Sequence, residues 1–115
     1  MEKYRINERE YVCPLQLALN VVLGKWKGLI IWILLYQSEV KRYGELKKEI
    51  NQLERVTDRM LIQSLKELEE DAIIQRKAYP VVPPKVEYRL TEAGKRLKPV
   101  IDALEAFGVV YEVKG

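Results

Sequence analysis

A chain of 115 residues, 48% hydrophobic and 32% charged, fits one globular domain with a modest core, and this composition excludes a disordered chain. The net charge of +3 is compatible with nucleic acid without being diagnostic of it. There is no histidine, and Cys13 is the single cysteine, so the sequence offers no zinc ligand set, no Ser-His or Cys-His nucleophile pair and no intramolecular disulfide.

We therefore expect no metal, no cofactor and no enzymatic activity. A lone cysteine suits a reducing cytoplasm. The charged start "MEKYRINEREYV" lacks the apolar stretch of a signal peptide. The most apolar run, "LIIWILL" from Leu29 to Leu35, is far shorter than the ~20 residues of a membrane span and reads as a buried helix.

In chain order, residues 1–12 read as a polar arm interspersed with Tyr4, Ile6, Tyr11 and Val12. Pro14 suits the first turn of a helix that runs to Val22, and Gly24 ends it. A second helix, Lys25 to Tyr36, is apolar on nearly every face and belongs in the middle of the domain. Val40 to Arg42 reads as a very short strand. Tyr43, Leu46 and Ile50 then place a third helix over 43–50. After the linker "NQLER", Thr57 caps a fourth helix from Asp58 to Asp71. Leu61, Leu65 and Leu68 share one face of it. At about 100° per residue, Arg59, Gln63 and Lys66 point the other way.

Two strands follow, Ile73–Tyr79 and Lys85–Thr91, separated by a tip holding Pro80, Pro83 and Pro84. Thr91 caps a final helix over 92–111, whose apolar stripe is Leu97, Ile101, Leu104 and Phe107 or Gly108. Pro99 inside it predicts a kink or an irregular start.

This order predicts a mainly helical α+β fold. Residues 43–71 form a helix-turn-helix and residues 73–91 a two-stranded wing, within one domain spanning 1–115. Arg59, Gln63 and Lys66, with Thr57 at the helix start, are candidates for DNA contact. Arg76, Lys77 and Lys85 bring positive charge towards phosphate. The plainer readings are a solvated helix face and edge-strand charges that block aggregation. Tyr43 with Lys47 or Lys48 either positions the DNA backbone or only caps and solvates. Cys13, beside the first helix, is either a small packing residue or a thiol activated by the helix terminus.

The segments "CPLQLALNVVLGKW", "YGELKKEI", "MLIQSLKELEED" and "YPVVPPKVEYRLTEAGKRLKPVIDALEAFG" resemble the HxlR family of winged helix-turn-helix transcription regulators, similar in fold to the MarR regulators. The resemblance spans Cys13 to Gly108 and is most specific in the proline-rich wing. It implies a homodimer, held largely by the first and last helices, that reads a pseudo-palindromic operator on double-stranded DNA. The interface would then draw on Leu15, Leu19, Leu97, Ile101, Leu104, Phe107 and Tyr111. The resemblance also implies that Cys13 stands where several members sense oxidants or electrophiles. Against the family pattern the linker after Ile50 is longer by about two residues, and Ala72 stands where glycine usually ends the recognition helix. Two rivals stay open: a winged-helix module that binds protein, and a regulator with a small-molecule pocket at the dimer interface. No inducer is legible.

Overall fold

A computed structural model describes residues 3–6, 8–22 and 24–111. The chain begins with a hairpin where an arm was expected. β1 (Tyr4–Ile6) and β2 (Arg9–Tyr11) pair antiparallel, with Tyr4 opposite Tyr11 and Ile6 opposite Arg9. A cross-strand Arg5–Glu10 ion pair and the contact of Ile6 with the core give these short strands their partners. α1 (Pro14–Val22) starts on Pro14 as expected, and the Cys13 carbonyl accepts its first helical bond, from Leu17. Gly24, at φ +123°, sits in a backbone region that side chains avoid, which breaks the chain before α2 (Lys25–Tyr36).

α2 is the axis of the molecule. Ile30, Ile31, Ile33 and Leu34 are buried on it, and it packs against the three other long helices of the following segment. β3 (Val40–Arg42) leads into α3 (Tyr43–Leu53), which outruns the expected end at Ile50 by three residues. Asn51, Gln52 and Leu53 include no helix breaker, so the extra length of the linker continues the helix. The Asn51 side chain then accepts the Val56 N–H at 2.9 Å and closes the turn. α4 (Asp58–Glu70) is capped by Thr57, whose hydroxyl accepts the Met60 N–H at 3.2 Å.

The end of α4 is a Schellman turn. Ile73 N–H reaches the Leu68 carbonyl at 2.9 Å and Ala72 N–H reaches that of Glu69 at 3.0 Å, with Ala72 itself at φ +58°. β4 (Ile74–Tyr79) and β5 (Lys85–Leu90) make the wing, with Ile74 opposite Leu90 and Tyr79 opposite Lys85. β3 joins the other edge of β5, giving the sheet order β3-β5-β4. Thr91 caps α5 (Glu92–Lys95), and the chain restarts as α6 (Lys98–Val110). The single helix expected over 92–111 is therefore two. Pro99 has no N–H to give the preceding turn, and the bonds of Arg96 and Leu97 tighten to a three-residue step.

One apolar cluster holds these pieces together. Its centre is Ile30 and Ile31 of α2, Leu46 and Ile50 of α3, Leu61, Leu65 and Leu68 of α4, and Ile74, Tyr88 and Leu90 of the wing base. No single helix among the described residues is long and apolar enough to cross a membrane.

Candidate nucleic-acid interface

The buried stripe of α4, Leu61, Ser64, Leu65 and Leu68, fixes the helix on the core and leaves Arg59, Ile62 and Lys66 exposed on the opposite side. Ile62 is apolar, so the helical period by itself does not mark it as outward-facing. It is exposed on the same outward side of α4 as Arg59 (three residues back) and Lys66 (four on). Thr57 is exposed too, but its hydroxyl is occupied by the cap.

Gln63 is exposed as well, and in the free chain it turns sideways. Its amide donates to Glu67 at 2.9 Å, and it lines a polar cleft of about 840 Å³ between α4, α1 and the N-terminal hairpin. Within that cleft the buried Lys27 pairs with Glu67 at 2.8 Å. This ammonium first, then the Gln63 amide, holds the Glu67 carboxyl below its ordinary range. Arg9 of the hairpin pairs with Asp71, the buried residue that follows α4.

At the other end of α4, Asp58 stands where a carboxylate would repel phosphate. Its charge is already engaged: Tyr43 donates its hydroxyl to it, and Lys47 reaches it at 2.9 Å. The Tyr43 hydrogen bond first, then Lys47, depresses the Asp58 pKa. The Tyr43 hydroxyl is pushed up, by burial and by the carboxylate beside it. Tyr43 and Lys47 of α3 thus clamp the start of α4. Arg55, exposed in the turn next to Thr57, adds a cation that the sequence reading overlooked.

The wing cations do not form one patch. Residues directly opposite in an antiparallel ladder share a face, and neighbours along a strand alternate. Arg76 lies opposite Tyr88 on the face that carries Ile74 and Leu90 into the core. Lys77 and Lys85 emerge on the other face with Tyr79. Their ammonium groups sit 4.9 and 4.8 Å from the centre of its ring. Beyond them the tip ends in Val82, which is 99% exposed.

The other predicted residues lie away from this surface. Cys13 is an exposed free thiol at the start of α1. Leu15 and Leu19 of α1 and Leu104, Phe107 and Tyr111 at α6 are exposed, and the Phe107 and Tyr111 rings stack at 5.2 Å. Ile101, expected at the interface, is only 5% exposed and belongs to the chain's own core, with Leu97 packed half-buried against it. The helical period alone could not divide that stripe between an inner and an outer use. Among the described residues no three His, Cys, Asp or Glu side chains gather as a metal site.

Likeness in sequence and likeness in architecture point to the same family. The model of the HxlR-like helix-turn-helix family matches residues 21–114. An uncharacterized HTH-type transcriptional regulator of Methanothermobacter thermautotrophicus is 41% identical over 106 residues, covering 92% of this chain and 77% of that one. The redox regulator HypR in its oxidized form is similar with a TM-score of 0.76 at 37% identity, over 89% of this chain and 100% of that one. The reduced form of the transcriptional regulator YodB from B. subtilis is similar with a TM-score of 0.71 at 33% identity, over 91% and 99%. A recognition helix capped by Thr57, a proline-tipped wing and these matches lead to one conclusion: the chain belongs to the HxlR-like helix-turn-helix family of transcription regulators.

Proposed function

We propose that the protein is a cytoplasmic homodimer that binds a pseudo-palindromic operator on double-stranded DNA. In this reading α4 enters the major groove and the wing lies on the flanking backbone. The observation that carries it is the outward face of α4, where Arg59, Ile62 and Lys66 stand exposed beside a wing bearing Lys77 and Lys85. Arg59 can address guanine with two donors, Ile62 suits a thymine methyl, and Gln63 can address adenine once it leaves Glu67. Thr57 and Lys66 lie near the groove edge. Arg76, Lys77 and Lys85 meet phosphate, with Arg76 approaching from the opposite face of the wing. Exposed apolar side chains on α1 and α6, among them Leu15, Leu19, Leu104, Phe107 and Tyr111, supply the dimer contact. It sets the two recognition helices about 34 Å apart.

Fluorescence anisotropy against operator and random duplexes across a salt series tests this. Affinity must fall steeply with salt, and Arg59→Ala must cost about 1–3 kcal/mol while relaxing preference at one base pair. Salt-independent binding to a protein partner, with no affinity for DNA, would favour the interaction-module reading.

A thiol response is the second part of the reading. It is supported by the exposure of Cys13 at the start of α1 and by the likeness to HypR, a redox regulator. Two Cys13 thiols of a dimer can join as a disulfide, an oxidant such as diamide taking up their two electrons and two protons. A mixed disulfide or alkylation are the other routes. Diamide should lower operator affinity in wild type and leave Cys13→Ser unaffected. Equal responses would leave Cys13 a packing residue.

A further inference from the structure

The outer face of the three-stranded sheet carries one carboxylate among cations. Glu87 lies on the central strand. Arg42 of β3 is its partner on one side and Lys77 of β4 on the other. The next positions along β5 on the same face are Lys85 and Arg89. The Lys85 ammonium is 3.7 Å from the Glu87 carboxylate, and the Glu87 side chain is only 16% exposed. Tyr79 is tied in from the adjacent strand. Its ring gathers the Lys77 and Lys85 ammonium groups, 4.9 and 4.8 Å from its centre, and its hydroxyl donates to Glu87. That hydrogen bond first, then Lys85 and Arg89, holds the Glu87 carboxyl below its ordinary range, so it is ionised at neutral pH.

We propose that Glu87 is an internal stand-in for DNA phosphate: it occupies the Lys85 ammonium of the wing in the free protein, with Lys77 beside it, and Tyr79 shares the carboxylate so that phosphate can take its place. The inference rests on the reading that the wing lysines meet phosphate. The argument is one of charge and geometry. A carboxylate and a phosphodiester each present anionic oxygens to the same ammonium groups. Lys77 and Lys85 are already gathered on one aromatic ring, so little side-chain freedom is lost when they exchange partners. The exchange costs the Lys85–Glu87 attraction and leaves a carboxylate near the DNA. Glu87 therefore lowers affinity for any sequence and makes the salt response shallower. Glu87 and Tyr79 act through the lysines and are positioning residues.

The test uses the full chain and two duplexes, operator and random. Glu87→Gln keeps an acceptor for the Tyr79 hydroxyl and removes only the charge. It should bind both duplexes about three- to tenfold tighter, with a salt slope steeper by up to about one. On a Lys85→Gln background the gain should shrink, which a purely structural role would not produce. Tyr79→Phe keeps the ring that gathers the lysines and frees the carboxylate to pair more closely with Lys85, so it should bind about twofold more weakly. That loss should vanish when combined with Glu87→Gln. Unchanged or weaker binding by Glu87→Gln at an unchanged melting temperature overturns the inference. A gain that persists in full on the Lys85→Gln background also overturns it. If Glu87→Gln melts early, Tyr79→Phe decides alone, and equal or tighter binding there overturns it. A wild type that binds neither duplex fails the functional reading itself, a result distinct from all of these.

Discussion

Ala72 closes the recognition helix with a backbone that its side chain resists, and replacing it with glycine should stabilise the protein. At φ +58° its Cβ crowds the backbone, a penalty of about 1–2 kcal/mol for an L-residue. Glycine removes the penalty but brings extra freedom to the unfolded chain, which returns about 0.5–1 kcal/mol. The two Schellman bonds, Ile73 to Leu68 and Ala72 to Glu69, are backbone bonds and survive the substitution. Ala72 is also exposed, so little packing is lost with its methyl group. Taking the middle of each range, the net expectation for Ala72→Gly is about 0.75 kcal/mol of added stability, or ~3 °C in Tm. Urea and thermal unfolding followed by helical circular dichroism would measure it, at one protein concentration because association shifts the midpoint. An Ala72→Gly variant that is neutral or less stable would refute the reasoning, since the left-handed turn would then carry no strain to relieve.

Gly94→Ala should do the reverse. A Cβ there would lie 2.2 Å from the Ile73 carbonyl oxygen, which is backbone and cannot step aside, so a loss of about 1–3 kcal/mol or more is expected in the same unfolding assay. If the proposed dimer forms through α1 and α6, Leu104→Asp should sediment as monomer at micromolar concentration where wild type sediments as dimer, with the fold intact because Leu104 is 58% exposed in the single chain. The depressed Asp58 pKa makes stability pH-dependent in a defined direction. The contribution is present above the ordinary carboxylate value of about 4 and is lost as pH falls through the lower folded value. Asp58→Asn should flatten that acid limb in pH-dependent melting curves.

The elements with strong periodicity or explicit caps were legible from sequence. Thr57 and Thr91 announced helix starts, Leu61, Leu65 and Leu68 marked a buried face, and the alternation of Val86, Tyr88 and Leu90 marked a strand. The N-terminal hairpin was not legible. Three-residue strands carry too little alternation, and their anchor, Arg9 on Asp71, joins residues 62 positions apart. The overrun of α3 was hidden because Asn51 favours turns, yet here its side chain serves the residue after the helix instead. The site was partly legible. Arg59 and Lys66 follow from the helical period, but Ile62 is apolar and its exposure is a tertiary fact. The grouping of Arg76 with the wing lysines followed adjacency in sequence. The strand alternation that separates them was present in the same pattern.

The carbonyl of Ile73 has a consequence beyond local stability. It accepts the Thr91 N–H at 3.0 Å. The Thr91 hydroxyl donates to the Ala72 carbonyl at 2.6 Å and accepts the Gly94 N–H at 3.0 Å. The exit of α4, both roots of the wing and the start of α5 are thus welded at a single joint, with no spare volume beside Gly94. Recognition helix and wing are tied here by bonds that run through backbone groups, which side-chain substitutions elsewhere leave in place. Because Leu61, Leu65 and Leu68 also seat α4 on the core, the angle between recognition helix and wing is set jointly by this knot of backbone bonds and by that packing.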